Sequence, residues 1–84
     1  MKRTERVVLG IDVGGTKVCV GVVTEDGRVL DKQRYPHRNI PVEEWTKELM
    51  AQTDALLERC GMRDRIAAVG IGCRGNVDHR SQRL

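Results

Sequence analysis

Short apolar runs alternate with turn residues over the first part of the chain. Val7–Val13 reads VVLGIDV and Lys17–Thr24 reads KVCVGVVT, and both have the β-branched composition that is typical of strands. A third run, residues 29–35, is more polar, as expected for an edge strand that faces water. The Asp26-Gly27 pair predicts a type I′ hairpin turn, in which both central residues have positive φ. The pattern therefore predicts three antiparallel strands in a meander.

The apolar spacing then changes to the period of a helix. The apolar stripe consists of Val42, Trp45, Leu49, Met50, Leu56, Leu57 and Cys60, of which Trp45 and Leu49 are expected in the core. Pro41 suits the first turn and Gly61 a left-handed stop, so we expect a helix of about 18 residues. Residues 66–73, IAAVGIGC, are almost wholly apolar, which predicts a strand buried on both faces. The predicted order is β-β-β-α-β, with a right-handed crossover through the helix.

Composition excludes several classes of protein. With 84 residues the chain holds one domain at most. Fifteen Lys and Arg against twelve Asp and Glu give a net charge of +3, but the basic ends lack interleaved aromatic residues, so we expect no nucleic-acid partner. No apolar run approaches the roughly 20 residues of a membrane span, and the charged N-terminus lacks the apolar core of a signal peptide. We therefore expect a cytoplasmic protein with no membrane partner.

The cysteine and histidine residues form no recognisable metal motif. Cys19, Cys60 and Cys73 are odd in number and lack CxxC spacing, so we expect reduced, partly buried thiols. His37 and His79 have no ligand partner at metal spacing, and we expect both to be surface or loop residues.

The first glycine-rich loop, DVGGTK, lies between the first two strands and carries the strongest chemical signal. Gly14 and Gly15 let the backbone approach a ligand, and successive N–H groups in such a turn can form an anion-binding nest. Thr16 can donate to a phosphate oxygen, and Lys17 adds a positive charge. Asp12 ends an apolar strand, where a carboxylate is costly unless it pairs or holds a cation such as Mg²⁺. Local composition alone equally allows a tight hairpin with a solvated carboxylate.

Two familiar nucleotide-binding motifs are excluded by the residues that surround their glycines. Gly10 and Gly15 have the spacing of a Walker A loop, but Thr16 stands where that loop needs Lys, and a strand follows where it needs a helix. The string GIGCRG has the form GxGxxG, but the residues after it lack the helical period and the acidic residue of a Rossmann fold. We expect Gly70 and Gly72 to allow close packing within the sheet instead.

The motifs taken together resemble those of a known family. GIDVGGTKVCVGVV, the EDGR turn, the amphipathic helix and AVGIGCRGNVD are similar to the N-terminal part of the ROK family (repressor, open reading frame, kinase) of sugar kinases, over residues 7–78. The resemblance implies the ribonuclease-H-like α/β fold of the actin–sugar kinase–Hsp70 superfamily. It also assigns residues 1–84 to a single partial N-terminal lobe of a protein that has two lobes around a cleft. The activity it implies is ATP-dependent phosphorylation of a hexose or an N-acetylhexosamine.

The resemblance also implies which residues bind ATP and sugar. The residues expected to bind ATP are Asp12, Gly14, Gly15, Thr16 and Lys17. Of these, Asp12 would help to hold Mg²⁺, and Gly14 would shape the turn. Gly75 and Asn76, in the loop after the fourth strand, would face the sugar hydroxyls. Family members often have Pro-Gly where this chain has Arg74-Gly75, so the resemblance predicts no particular sugar.

Three hypotheses follow from this comparison. The 84 residues lack the family's catalytic Asp (which Asp78 is not), its Cys-rich zinc motif and its adenosine-binding segment, so we expect a kinase fragment with no catalytic residue and no useful activity alone. A ROK-type transcriptional repressor is the second hypothesis, although only six residues precede the first strand, where a repressor carries a winged-helix domain. The third is a small phosphate-binding or interaction module, whose half-covered sheet would need a partner or a second copy of the chain.

Overall fold

A four-stranded sheet with one helix packed on one face makes up the computed structural model, which describes residues 6–73. The elements in chain order are β1 (Val7–Val13), β2 (Lys17–Thr24), β3 (Val29–Pro36), α1 (Val42–Cys60), a short 3-10 turn (Arg63–Arg65) and β4 (Ile66–Cys73). In space the strand order is β3-β2-β1-β4, and β1 runs antiparallel to β2 but parallel to β4. The predicted mixed α/β fold, with the order β-β-β-α-β, is confirmed.

Alternation of side chains along β1 and β2 gives the sheet one apolar face, which packs under α1. The buried core consists of Val7, Leu9, Ile11, Val18, Val20, Val22, Tyr35, Leu56, Leu57 and Met62, with Trp45 and Leu49 packed against it. Successive side chains of a strand point to opposite faces of its sheet. The residues between these buried positions, such as Asp12 and Cys19, therefore lie on the face opposite α1.

Both ends of α1 have the residues that the sequence predicts. The carbonyl of Pro41 accepts the first bond of the helix from the Trp45 N–H, at 2.9 Å. Gly61 ends the helix in the left-handed conformation, with φ of 70°, and its N–H donates to the Leu57 carbonyl at 2.9 Å. No helix in the described part of the chain is long and apolar enough to cross a membrane.

Polar contacts fix α1 against β3. The Arg59 guanidinium donates to the Asp31 carboxylate at 2.7 Å, to the Gln33 side chain at 2.9 Å and to the Lys32 carbonyl at 3.0 Å. The Gln33 amide in turn donates to Gln52 at 2.7 Å. The bond from Arg59 lowers the pKa of Asp31, and the same bond raises the pKa of Arg59. Exposed ion pairs add little stability, so these contacts mainly set the orientation of the helix across the strand.

The environment of β4 differs from its prediction. The sequence predicts a strand buried on both faces, but Val69 is 56% and Ile71 66% exposed. The strand is the edge of the sheet beside β1, whereas α1 packs against β2 and β3, so no element within residues 6–73 covers it. A Cβ on Gly70 or Gly72 would meet no atom within 4 Å, so the expected close packing at these glycines is not found in the described chain either.

The turn between β2 and β3 begins one residue earlier than predicted. The Gly27 N–H donates to the Thr24 carbonyl at 3.0 Å, so Glu25 and Asp26 are the central residues, and Gly27 follows them with φ of 93°. The Thr24 hydroxyl donates to the Asp26 carboxylate and accepts from the Arg28 N–H at 2.9 Å. The Asp-Gly pair therefore predicts the place of the hairpin correctly but not the central residues of its turn. The side-chain hydrogen bonds of Thr24 favour the turn that begins one residue earlier.

The three thiols are free, as expected. Cys19 and Cys60 are half-buried, which confirms that part of the prediction. Cys73 is exposed, because it ends the uncovered strand β4.

Replacing Leu56 tests the position of the core. Leu56 is fully buried, whereas Met50 on the same helix is 61% exposed. We expect Leu56→Ala to lower the free energy of unfolding by about 2–5 kcal/mol, because it removes buried methyl groups and leaves a cavity. The control Met50→Ala should change it by about 0.5 kcal/mol or less. Urea unfolding followed by Trp45 fluorescence gives both values, and equal losses would contradict this packing.

Candidate functional site

The turn between β1 and β2 borders an open pocket on the face of the sheet opposite α1. The pocket has a volume of about 370 Å³ and is lined by Asp12, Gly14, Gly15, Thr16, Lys17, Cys19 and Arg34. All five residues for which the family resemblance implies ATP binding therefore line one pocket. Its volume lies in the range of small-molecule sites, which is roughly 300–1,000 Å³.

The two glycines of the turn meet different steric requirements. The Gly14 N–H donates to the Lys17 carbonyl at 2.8 Å, which closes the turn. A Cβ on Gly14 would lie 3.0 Å from that same carbonyl oxygen, whereas a Cβ on Gly15 would meet no atom within 4 Å. Neither glycine has positive φ. Gly14 is therefore needed for a close approach of two backbone segments, and Gly15 leaves the backbone open toward the pocket.

Asp12 supplies a carboxylate to the wall of this pocket. The strand register pairs Asp12 with Cys19 on β2, and Cys19 with Arg34 on β3, so the three residues lie side by side. Magnesium usually binds through one or two carboxylates, water molecules and substrate phosphates, and the half-buried Asp12 fits that donor set. No group of three His, Cys, Asp or Glu residues within residues 6–73 could hold a metal. Mg²⁺ at Asp12 would therefore depend on water molecules and phosphate oxygens for its other ligands.

Two cations, Lys17 and Arg34, line the pocket, and the sequence motifs predict only the first of them. Lys17 was expected, but Arg34 is one polar residue among several on an edge strand and carries no motif. Arg34 also lines a smaller neighbouring pocket of about 170 Å³, together with Thr16 and Lys17. Lys17 pairs with Pro36, so Arg34, two residues before Pro36, is its diagonal neighbour on the same face. The predicted hairpin of the second and third strands is the signal that could have indicated Arg34, because it pairs the two strands.

A second pocket lies beside the same turn and is formed by the loop after β3. It has a volume of about 290 Å³ and is lined by Gly15, His37, Arg38, Asn39, Ile40 and Trp45. His37 lies in a loop, as expected, but it is half-buried and bonded to the turn. Its backbone N–H donates to the Thr16 carbonyl at 2.9 Å, and its ring Nδ1 lies 2.6 Å from the Gly14 carbonyl oxygen. Local sequence patterns could not show a contact between residues 23 positions apart.

The expected sugar-binding residues, Gly75 and Asn76, lie outside the described residues, as does His79. The described chain ends with Cys73, which pairs with Val13 at the end of β1. Because β1 and β4 are parallel, the chain leaves β4 at the same end of the sheet as the glycine turn.

Comparison with solved structures first gives the class of protein. The fold is similar to part of a ROK family glucokinase from Streptomyces griseus that was solved in complex with glucose and AMPPNP. The TM-score is 0.67 at 33% sequence identity, over 87% of this chain and 22% of that one. The profile of the ROK family matches residues 8–84. The chain belongs to the ROK family, and the resemblance of its combined motifs to the N-terminal part of that family is confirmed.

Two curated relatives that are sugar kinases also match most of this chain. The chain is 31% identical over 74 residues to a glucokinase from Streptomyces coelicolor, which covers 88% of this chain and 22% of that protein. It is 29% identical over 72 residues to an N-acetyl-D-glucosamine kinase from Haemophilus influenzae, over 86% of this chain and 23% of that protein. The chain therefore spans less than a quarter of the length of these relatives.

Substituting each glycine of the turn in separate variants tests their different roles. We expect Gly14→Ala to cost about 1–3 kcal/mol of unfolding free energy, because its Cβ would press on the Lys17 carbonyl. Gly15→Ala should change the unfolding free energy by about 0.5 kcal/mol or less, since the space around it is open. Urea unfolding measures both variants. A larger loss in Gly15→Ala than in Gly14→Ala would contradict this geometry.

Proposed function

We propose that this lobe is the phosphate-binding wall of an ATP-dependent kinase that phosphorylates a hexose or an N-acetylhexosamine. The observation that carries the proposal is the pocket in which the Asp12 carboxylate, the glycine turn, Lys17 and Arg34 meet. The relatives support the substrate class, since they include a glucokinase and an N-acetyl-D-glucosamine kinase. The similar Streptomyces griseus structure, with its glucose and AMPPNP, supports the choice of nucleotide and sugar.

The turn and the charged residues of the pocket have roles in this proposal that their chemistry supports. The Thr16 hydroxyl and the backbone N–H groups of the turn donate to phosphate oxygens, and Lys17 and Arg34 neutralise their charge. Asp12 would hold Mg²⁺, which would supply positive charge to stabilise the phosphate oxygens. Phosphoryl transfer depends on positioning and charge stabilisation, so these residues act by orienting the phosphate donor.

The proposal extends to the sugar and to the rest of the protein. We place Gly75 and Asn76 at the sugar hydroxyls, which is supported by the departure of the chain from β4 beside the glycine turn. We also assign residues 1–84 to one lobe of a longer kinase that works in the cytoplasm, where ATP is available as the donor. The coverage of 22% of the glucokinase relative supports this assignment.

Nucleotide binding to the 84-residue chain tests the phosphate wall. We expect ADP with Mg²⁺ to bind weakly, with a saturable change in the fluorescence of Trp45, which lines the pocket beside Gly15. Lys17→Met and Arg34→Met should each weaken binding by about tenfold, because each removes a charge-assisted hydrogen bond of roughly 1.5 kcal/mol.

Lys47→Met is the matched control, since Lys47 is an exposed cation of α1 that does not line the pocket. It removes the same charge and should leave the affinity within about twofold. The absence of a saturable signal, or an equal loss in the Lys47 variant, would refute the phosphate wall.

Turnover by the same chain tests whether this lobe is sufficient for catalysis. We propose that it is not, because no residue of the pocket is assigned as a base for the sugar hydroxyl. A coupled assay of ADP release, with glucose or N-acetylmannosamine as acceptor, should show no turnover. A rate of about 1 s⁻¹ or more, within the usual range of enzymes, would show that the chain carries its own catalytic residue.

A further inference from the structure

We propose that His37 is a positioning residue, which fixes the peptide group between Gly14 and Gly15 so that the Gly15 N–H is presented to the phosphate of the nucleotide. The inference rests on the proposed function, because it concerns how the same turn offers its donors. It adds a residue that lies outside the glycine motif and outside the phosphate pocket itself.

His37 holds the turn at two carbonyl oxygens. Its backbone N–H donates to the Thr16 carbonyl at 2.9 Å, and its ring Nδ1 lies 2.6 Å from the Gly14 carbonyl oxygen. A carbonyl oxygen only accepts hydrogen bonds, so this contact requires the proton on Nδ1. The two bonds flank Gly15, the residue of the turn with the most open surroundings.

The bond to Gly14 determines where the next N–H points. In a trans peptide the C=O of one residue and the N–H of the next point in opposite directions. Holding the Gly14 oxygen against His37 therefore directs the Gly15 N–H away from the His37 side of the turn. Within the described residues this N–H donates to no acceptor, and Gly15 lines both pockets. It is therefore available to an anion in the pocket that contains Asp12 and Lys17.

The ring of His37 is itself held in place. It packs against Trp45 with ring centroids 5.9 Å apart and planes tilted by 59°. Trp45 lies in the first turn of α1 and packs against the core. The turn is thus connected through His37 to the one helix of the described fold, and its position does not depend on two flexible glycines alone.

Fixing the turn has a consequence for affinity. Glycine loses more backbone freedom than other residues when it is ordered, and two glycines in sequence would otherwise pay that entropy when a ligand binds. A turn that is already held binds its anion with less loss of freedom. Removing the Nδ1 bond should therefore weaken nucleotide binding by roughly fivefold, which corresponds to one ordinary hydrogen bond.

Two substitutions separate the hydrogen bond from the packing. His37→Phe keeps an aromatic ring against Trp45 but has no donor, whereas His37→Asn loses the ring and keeps an N–H near the position of Nδ1. Arg38→Gln is the control, because Arg38 lines the same pocket but bonds to Glu48 at 3.3 Å and not to the turn. All four chains of 84 residues are titrated with ADP and Mg²⁺, and their amide and imidazole signals are recorded by NMR.

We expect His37→Phe to bind about fivefold more weakly and to shift the Gly15 amide signal, with His37→Asn and Arg38→Gln close to the unsubstituted chain. The imidazole shifts of His37 should show a proton on Nδ1. Unchanged binding or an unchanged Gly15 signal in His37→Phe would overturn the inference. A loss in His37→Asn as large as or larger than the loss in His37→Phe would also overturn it, because the Asn variant keeps the donor and lacks only the ring that packs on Trp45. If the unsubstituted chain binds no ADP, the proposed function fails, while the Nδ1 proton and the Gly15 signal still decide whether His37 fixes the turn.

Discussion

The pairing of β1 with a neighbour on each side is the constraint on which the rest of the structure depends. Its register with β2 and β4 puts Leu9 and Ile11 under α1 and leaves Asp12 on the opposite face. Side chains alternate along a strand, so a slip of one residue would exchange these faces. The slipped pairing would then bury the Asp12 carboxylate under the helix and expose Leu9 and Ile11 on the opposite face. Fold and site are therefore specified by one register, and neither can change without the other.

The parts of the fold that were predictable depend on neighbours in sequence. The bounds of β1, β2, β4 and α1 follow from apolar spacing and from residues such as Gly61, because period and caps are local properties. The exposure of β4, the earlier hairpin turn and the bonds of His37 depend on what lies beside a residue in space. Arg34 shows the difference clearly, since only its pairing with Cys19 brings it to the pocket. The glycine motif predicted five of the seven residues that line the pocket, and strand pairing adds Cys19 and Arg34.

The pocket brings side chains of opposite charge to one small space. A half-buried carboxylate at Asp12 is costly in isolation, and two cations, Lys17 and Arg34, line the same small space. Opposite charges close to each other reduce that cost. In the proposed function, a phosphate with its metal ion would add one further charge of each sign. The pocket therefore offers a carboxylate and hydrogen-bond donors on the same wall.

The uncovered strand β4 has a consequence for the behaviour of the chain in solution. Within the described residues it pairs on one side only, and its outer edge presents backbone donors and acceptors beside the exposed Val69 and Ile71. Such an edge is a template for pairing with another chain, and a flat apolar edge aggregates readily. For the fold of residues 6–73, the pairing of this edge would therefore depend on protein concentration, because dilution favours the open edge and crowding favours its pairing.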